Sequence, residues 1–171
     1  MNFVRDAWEI LWDILGYFQI ITFLDEWEEG IVLQAGKYRR TVTAGWWLHC
    51  PLGIDEIHVM NVKPDAMELD EQVLTTADDY SIIIKVVLMW SIFDIKKCTL
   101  DVEDAADTLQ QIAVGYVHDL VEETEWDDIR IKAFRTALKL SIQKQARKFG
   151  ITVSQVKLQD LALTKVFRLI Q

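Results

Sequence analysis

The chain has 171 residues, a formal net charge of -9 and 51% apolar residues. That length suits one domain or two small lobes sharing a core. The acidic balance argues against neutralising phosphates, the main source of nucleic-acid affinity, so nucleic acid is not an expected partner. The apolar excess points instead to a membrane or subunit contact.

In the first 24 residues, MNFVRDAWEILWDILGYFQIITFL, Arg5, Glu9 and Asp13 recur every four residues. A helix would set them on one side and Val4, Trp8, Leu11, Trp12 and Leu15 on the other. The uncharged tail from Ile14 to Leu24 is about 11 residues, against the roughly 20 that a spanning helix needs. The segment is expected to lie in one leaflet or to dip and return, with Trp8, Trp12 and Tyr17 at headgroup level and Leu11, Leu15, Phe18 and Ile21 in lipid. The other reading is an ordinary amphipathic helix packed on the domain or on a neighbouring subunit. No A-x-A cleavage pattern follows, so the segment is expected to stay on the protein.

From Trp27 to Pro64 the spacing predicts short antiparallel strands. Gly30 opens a β-branched run that Gly36-Lys37 interrupts, Ala44-Gly45 and Pro51 to Gly53 make further breaks, and the run from Ile54 to Val62 closes at Pro64. Trp46 and Trp47 are adjacent, so in a strand they point to opposite faces. One can enter the core, and the other needs a second apolar environment, either lipid or the far side of a two-sided core.

Thr76 to Tyr80 is a predicted Asx-type reversal. Ser81 to Phe93 is apolar on both faces and ends at Asp94, the pattern of a central strand covered on both sides. A helix is expected from near Val102 to Asp104, with Ala105, Ala106, Leu109, Ile112, Ala113, Tyr116, Val117 and Leu120 in its buried stripe. Thr124-x-x-Asp127 is a loose cap signal for a second helix, with Ile131, Phe134, Ala137, Leu138, Ile142, Ala146 and Phe149 inward and Gly150 as a left-handed cap. The final strand, Ile151 to Leu163, changes phase near Gln155 and Asp160, which predicts a bulge or two short pieces. Val166, Phe167 and Ile170 are then at helical spacing.

Cys50 and Cys98 form no C-x-x-C pair or Cys/His cluster, which favours buried thiols over a zinc site or disulfide framework and fits a reducing compartment. There is no Gly-rich phosphate loop, H-E-x-x-H, nucleophile elbow or Walker pattern. His49-Cys50 would face opposite ways in a strand, and His58 and His118 lack neighbouring ligands at useful spacing. No catalytic residue, metal or cofactor is expected.

The ordered set Glu28, Gly30-Ile31-Val32, Gly36-Lys37, Gly45 running to Pro51, Thr75-Thr76-Ala77-Asp78 before Ile82 to Trp90, Asp94, and Gly150-Ile151-x-Val153 resembles the SPFH or band 7 domain of stomatins, prohibitins and flotillins. The resemblance covers about Glu28 to Leu163. It implies an α+β fold, with an antiparallel β-rich first lobe (27–94) and a helical α/β second lobe (95–163), after an N-terminal membrane-associated helix (1–26) and before a C-terminal helix (164–171) where the family's coiled coil usually begins. It implies a first lobe close to the bilayer, so that Trp46, Trp47 and Leu48 touch lipid with Lys37, Arg39 and Arg40 at headgroup level. Unlike stomatins, the chain carries acids in its first segment and no cysteine there for acylation.

The resemblance also implies ring assembly through the second lobe. The acids Asp119, Glu122 and Glu123 would meet Arg130, Arg135 and Lys139 of a copy, with Val166, Phe167 and Ile170 adding apolar contact. The alternative is two solvated faces of opposite sign. The function expected is a non-enzymatic scaffold, peripheral or monotopic on a membrane facing a reducing cytoplasmic compartment. Its partners would be the lipid bilayer, copies of itself and an unidentified membrane protein. The alternative is a soluble adaptor or inhibitor that binds one protein and never meets lipid.

Overall fold

The computed structural model describes residues 21–48 and 54–164. Its contacts divide the chain after Asn61 into two compact units.

The first unit is all β in its described residues. Strands β2 (Glu28–Gln34), β3 (Lys37–Val42) and β5 (Asp55–Asn61) form an antiparallel sheet in the order β3-β2-β5. The turn joining β2 to β3 has positive φ at both central residues, 50° at Ala35 and 74° at Gly36, as a two-residue hairpin between right-twisted strands requires. Strands β1 (Ile21–Leu24) and β4 (Gly45–Leu48) pair as a separate antiparallel ribbon. Leu24, Val32 and Val42 are the buried cluster, with Trp47 and Ile57 packed against it.

The second unit is organised on β8 (Ser81–Ile92). Strands β6 (Asp65–Glu68) and β7 (Gln72–Thr75) pair with its two halves along one edge, and β9 (Ile151–Leu163) runs along the other. Ile82, Ile84, Val86, Leu88 and Ile92 are buried, while the alternate residues Ile83, Lys85, Val87 and Met89 are half-buried. The strand is central, as expected, but its two faces are covered unequally. Strand β9 is continuous and shifts register twice against β8, leaving Ser154 and Gln159 unpaired. Both phase changes in the sequence are therefore bulges.

Helices α1 (Ile95–Leu100) and α2 (Ala105–Glu122) follow β8. Asp94 caps α1 by accepting from the Lys97 amide, and Asp104 caps α2 by accepting from the amides of Ala106 and Asp107 at 2.8 and 3.0 Å. The expected second helix is broken into α3 (Trp126–Ile129) and α4 (Lys132–Ala146), with Ile131 and Ala137 exposed rather than inward. Phe134, Leu138, Ile142 and Ala146 are buried on α4, as are Leu109, Ala113, Val117 and Val121 on α2. Helix α4 packs on both α2 and β9.

The Thr124 cap does not form. Its hydroxyl donates back to the Leu120 carbonyl at 2.6 Å, and the α3 amide of Trp126 instead donates to Asp78, 48 residues upstream, at 3.1 Å. Asp78 belongs to the Thr76 to Tyr80 reversal, where the Thr76 hydroxyl also donates to it. That hydroxyl bond is the leading cause holding the Asp78 carboxyl below the usual carboxylate range. Gly150 ends a short 3-10 turn (Arg147–Phe149) at φ 79°, and its carbonyl accepts from the amides of Phe93 and Asp94.

The division after Asn61 differs from the sequence-based boundary at Asp94. Every strand partner of β8 is downstream of Val62, so the stretch from Val62 to Asp94 groups with the helices instead of the first β-strands. The last part of the expected N-terminal helix is instead strand β1 (Ile21–Leu24), and residues 1–20 lie outside the described residues. Among them are Trp8, Leu11, Trp12, Leu15, Tyr17 and Phe18; Val166, Phe167 and Ile170 lie outside as well.

Candidate functional site

The β1–β4 ribbon carries an exposed apolar face in the first unit. Register pairs Phe23 with Trp46 and Ile21 with Leu48, so all four side chains share one face. They are exposed by 77%, 64%, 49% and 53% respectively. Strands alternate, so Leu24 and Trp47 lie on the other face, where both join the core. The two adjacent tryptophans are thus sorted: Trp46 outward and Trp47 inward.

Trp47 is a structural residue here. Its Nε1 donates to the Thr43 carbonyl at 2.7 Å, and the Arg40 guanidinium lies 5.1 Å from its ring centroid. Arg40 Nη2 also reaches the Leu48 carbonyl at 3.5 Å, tying β3 to the ribbon. Strand β3, which leads into β4 through Thr43 and Ala44, exposes Lys37, Arg39 and Arg40. The first unit therefore exposes cations as well as apolar side chains, a combination suited to the boundary between acyl chains and headgroups, with Arg40 on the Trp47 face of the ribbon.

Of the sequence-predicted lipid contacts, Ile21, Trp46 and Leu48 are brought together and Trp47 is turned away. Phe23 was missed because it was read as part of a helical apolar tail. The signal for it is the β-branched run Ile20-Ile21-Thr22 just before the acidic turn Asp25-Glu26.

A second group lies on the helices. Asp119, Glu122 and Glu123 are exposed at the C-terminal end of α2, with His118 Nε2 3.4 Å from Glu122 and Nδ1 3.8 Å from Asp119. Carboxylates there meet the negative end of the helix dipole, which disfavours them by some tenths of a kcal/mol each. Arg135 and Lys139 share one stripe of α4, whereas Arg130 stacks on its own chain's Trp126, 4.5 Å from the ring centroid. The structure thus keeps the acidic and basic groups on separate helices, with no ion pair between the two sets among the described residues.

Cys98 is buried and donates to the Phe149 carbonyl at 3.0 Å. Burial, with Asp94 and Asp101 nearby, pushes its thiol up to about 11, away from nucleophilic use. His49 and Cys50 lie outside the described residues. His58 is exposed beside Glu56 at 3.8 Å. Among the described residues no three His, Cys, Asp or Glu side chains are placed to hold a metal ion, and no helix is long and apolar enough to cross a membrane.

The family model for the SPFH domain / Band 7 family matches residues 22–169. The chain belongs to this family. Members are generally membrane-associated scaffolds without enzymatic activity. Among curated proteins, the chain is similar to uncharacterized proteins of Methanothermobacter thermautotrophicus (22% identical over 84% of this chain and 46% of that one) and Archaeoglobus fulgidus (20%, over 91% and 63%). It is also similar to an uncharacterized protein of Schizosaccharomyces pombe, 25% identical over 83% of this chain and 41% of that one. The chain thus spans between two fifths and two thirds of these relatives. The match begins at Thr22, so this SPFH domain starts within β1.

Proposed function

We propose that this SPFH domain is a non-enzymatic scaffold that lies on one leaflet, associates laterally with its own copies and organises a membrane protein. The observation that carries this reading is the outward apolar face of Ile21, Phe23, Trp46 and Leu48 on the β1–β4 ribbon.

Magnitudes link the membrane contact to self-association. Burying the exposed parts of the four side chains is worth on the order of 5 kcal/mol, from about 1.5 to 3 kcal/mol per fully buried residue. Alone, that corresponds to a dissociation constant between about 1 mM and 1 μM. One copy would bind reversibly, and several joined copies would bind far more tightly through avidity. Asp119, Glu122 and Glu123 of one copy facing Arg135 and Lys139 of the next would set the register of such an assembly. Exposed pairs contribute only about 0.2 to 1 kcal/mol each, so apolar contact must hold it.

The test is flotation of the full chain with liposomes, together with its size in solution. The scaffold reading expects the wild type to float and Arg135→Glu with Lys139→Glu to shrink the assembly on a sizing column. A chain that stays at the bottom of the gradient but captures one protein through Phe23 and Trp46 would be a soluble adaptor instead. The free thiol of Cys98 is compatible with the proposed reducing compartment.

A further inference from the structure

A groove of about 530 Å³ runs between α4 and β9, lined on the helix by Lys132, Arg135, Thr136 and Lys139 and on the strand by five successive residues, Ser154 to Leu158. The helix residues are spaced three and four apart, so they form one stripe. Successive strand residues point to opposite faces, so five in a row can line one groove only if it follows the strand's edge. That edge is open among the described residues, because β9 pairs with β8 alone. The groove therefore has an unpaired strand edge as its floor and a basic helix stripe as its wall.

Its charge is the reverse of the chain's. Lys132, Arg135, Lys139 and Lys157 line it without a single carboxylate, in a protein of net charge -9, and none of the four makes an ion pair among the described residues. We propose that this groove binds an extended acidic segment of a partner protein, added to the sheet as a further strand beside β9. The added backbone would pair with the open edge. Because its side chains alternate, one set of acids would meet the α4 cations and the other would reach Lys157.

A second copy of this chain, which the scaffold reading sets against Arg135 and Lys139, is the weaker candidate for the strand edge. Its acids Asp119, Glu122, Glu123, Asp127 and Asp128 lie on or beside α2 and α3 and can offer charge but no strand. Its β6 edge can offer a strand, but Glu68 there is already paired with Lys85 at 2.9 Å. The open edge also carries devices that limit indiscriminate pairing, namely the bulges at Ser154 and Gln159 and the charge of Lys157. Those devices suit an edge that selects by charge.

The experiment is fluorescence polarisation of the full chain at low salt with a labelled peptide of alternating glutamate and valine. The companion probes are the same peptide N-methylated at alternate amides, and vesicles of anionic lipid offered as competitor. The proposal expects saturable binding, roughly tenfold weaker for Lys157→Glu or Lys132→Glu. Lys148→Glu, a basic change outside the groove, should leave binding unchanged. N-methylation should abolish binding, and the peptide should slow amide exchange from Ser154 to Leu158. Equal binding of the methylated peptide, or full displacement by vesicles, would reduce the site to unspecific attraction and overturn the proposal. So would binding that Lys132→Glu and Lys157→Glu both leave unchanged, since Arg135 and Lys139, which the scaffold reading sets against a neighbouring copy, would then account for it alone.

Discussion

The two units spend their apolar residues differently. In the second, Leu138 and Ile142 of α4 and Val117 of α2 are fully buried, and β8 adds Ile82, Ile84 and Leu88 to the same interior. In the first, Leu24, Val32 and Val42 form a buried cluster with two half-buried neighbours and Ile31 is buried as well, while Phe23 and Trp46 face solvent. A small β unit has too little interior for all its aromatic side chains. The second unit leaves Val73, Phe93, Ile131 and Leu140 exposed as well. What sets the first apart is four apolar side chains gathered on one two-stranded face, so stability and the proposed membrane contact should be separable. Substitutions in the second unit should change folding. Substitutions on the ribbon should change partition to lipid.

The largest expected effect tests how tightly the second unit is built. A Cβ at Gly150 would drive into the Asp94 carbonyl, at a backbone φ of 79° that side chains rarely adopt. Gly150→Ala should therefore cost about 3 kcal/mol or more. Gly36 has a similar φ of 74° but open space around it, so Gly36→Ala should cost about 1 kcal/mol. Denaturant titration of both variants checks the ratio, and equal losses would mean that the close approach of Asp94 does not hold in solution.

A smaller effect concerns the join between the Thr76 reversal and α3. The Asp78 carboxyl has a lowered pKa in the fold, so its contribution to stability is present above the ordinary value of 3.8 and fades as pH falls through the folded one. Asp78→Asn should lower the melting temperature by a few degrees at neutral pH, with the two curves converging in acid. A gap that persisted undiminished at low pH would show that the charge is not what matters. Solvent screening keeps the effect modest, since Asp78 is exposed.

How much of this was legible in the sequence follows from the range of the interaction. Turns set by local backbone chemistry were readable, at Gly36, at Gly150 and in the Thr76 to Tyr80 reversal. The bulges of β9 were readable too, because an extra residue shifts the alternation of apolar side chains. The α3 cap was not, because Asp78 and Trp126 are 48 residues apart and Thr124 offers a local decoy. Strand β1 was hidden because four residues cannot display a period, and an apolar tail reads equally well as helix. The site was legible by half. Adjacency required Trp46 and Trp47 to part, but only the pairing with β1 decides which one faces outward and supplies Phe23 beside it.

The smallest expected change in stability comes with the most direct functional readout. Removing residues 1–24 would delete β1 and the core residue Leu24, so point changes are the sharper instrument. Phe23→Glu with Trp46→Glu lies on an exposed face and should alter unfolding by less than about 0.5 kcal/mol. In a flotation gradient with neutral liposomes, wild-type protein should rise with the lipid and the double variant should remain below, both with the same melting curve. Equal flotation of the two would contradict the claim that this ribbon is the membrane contact.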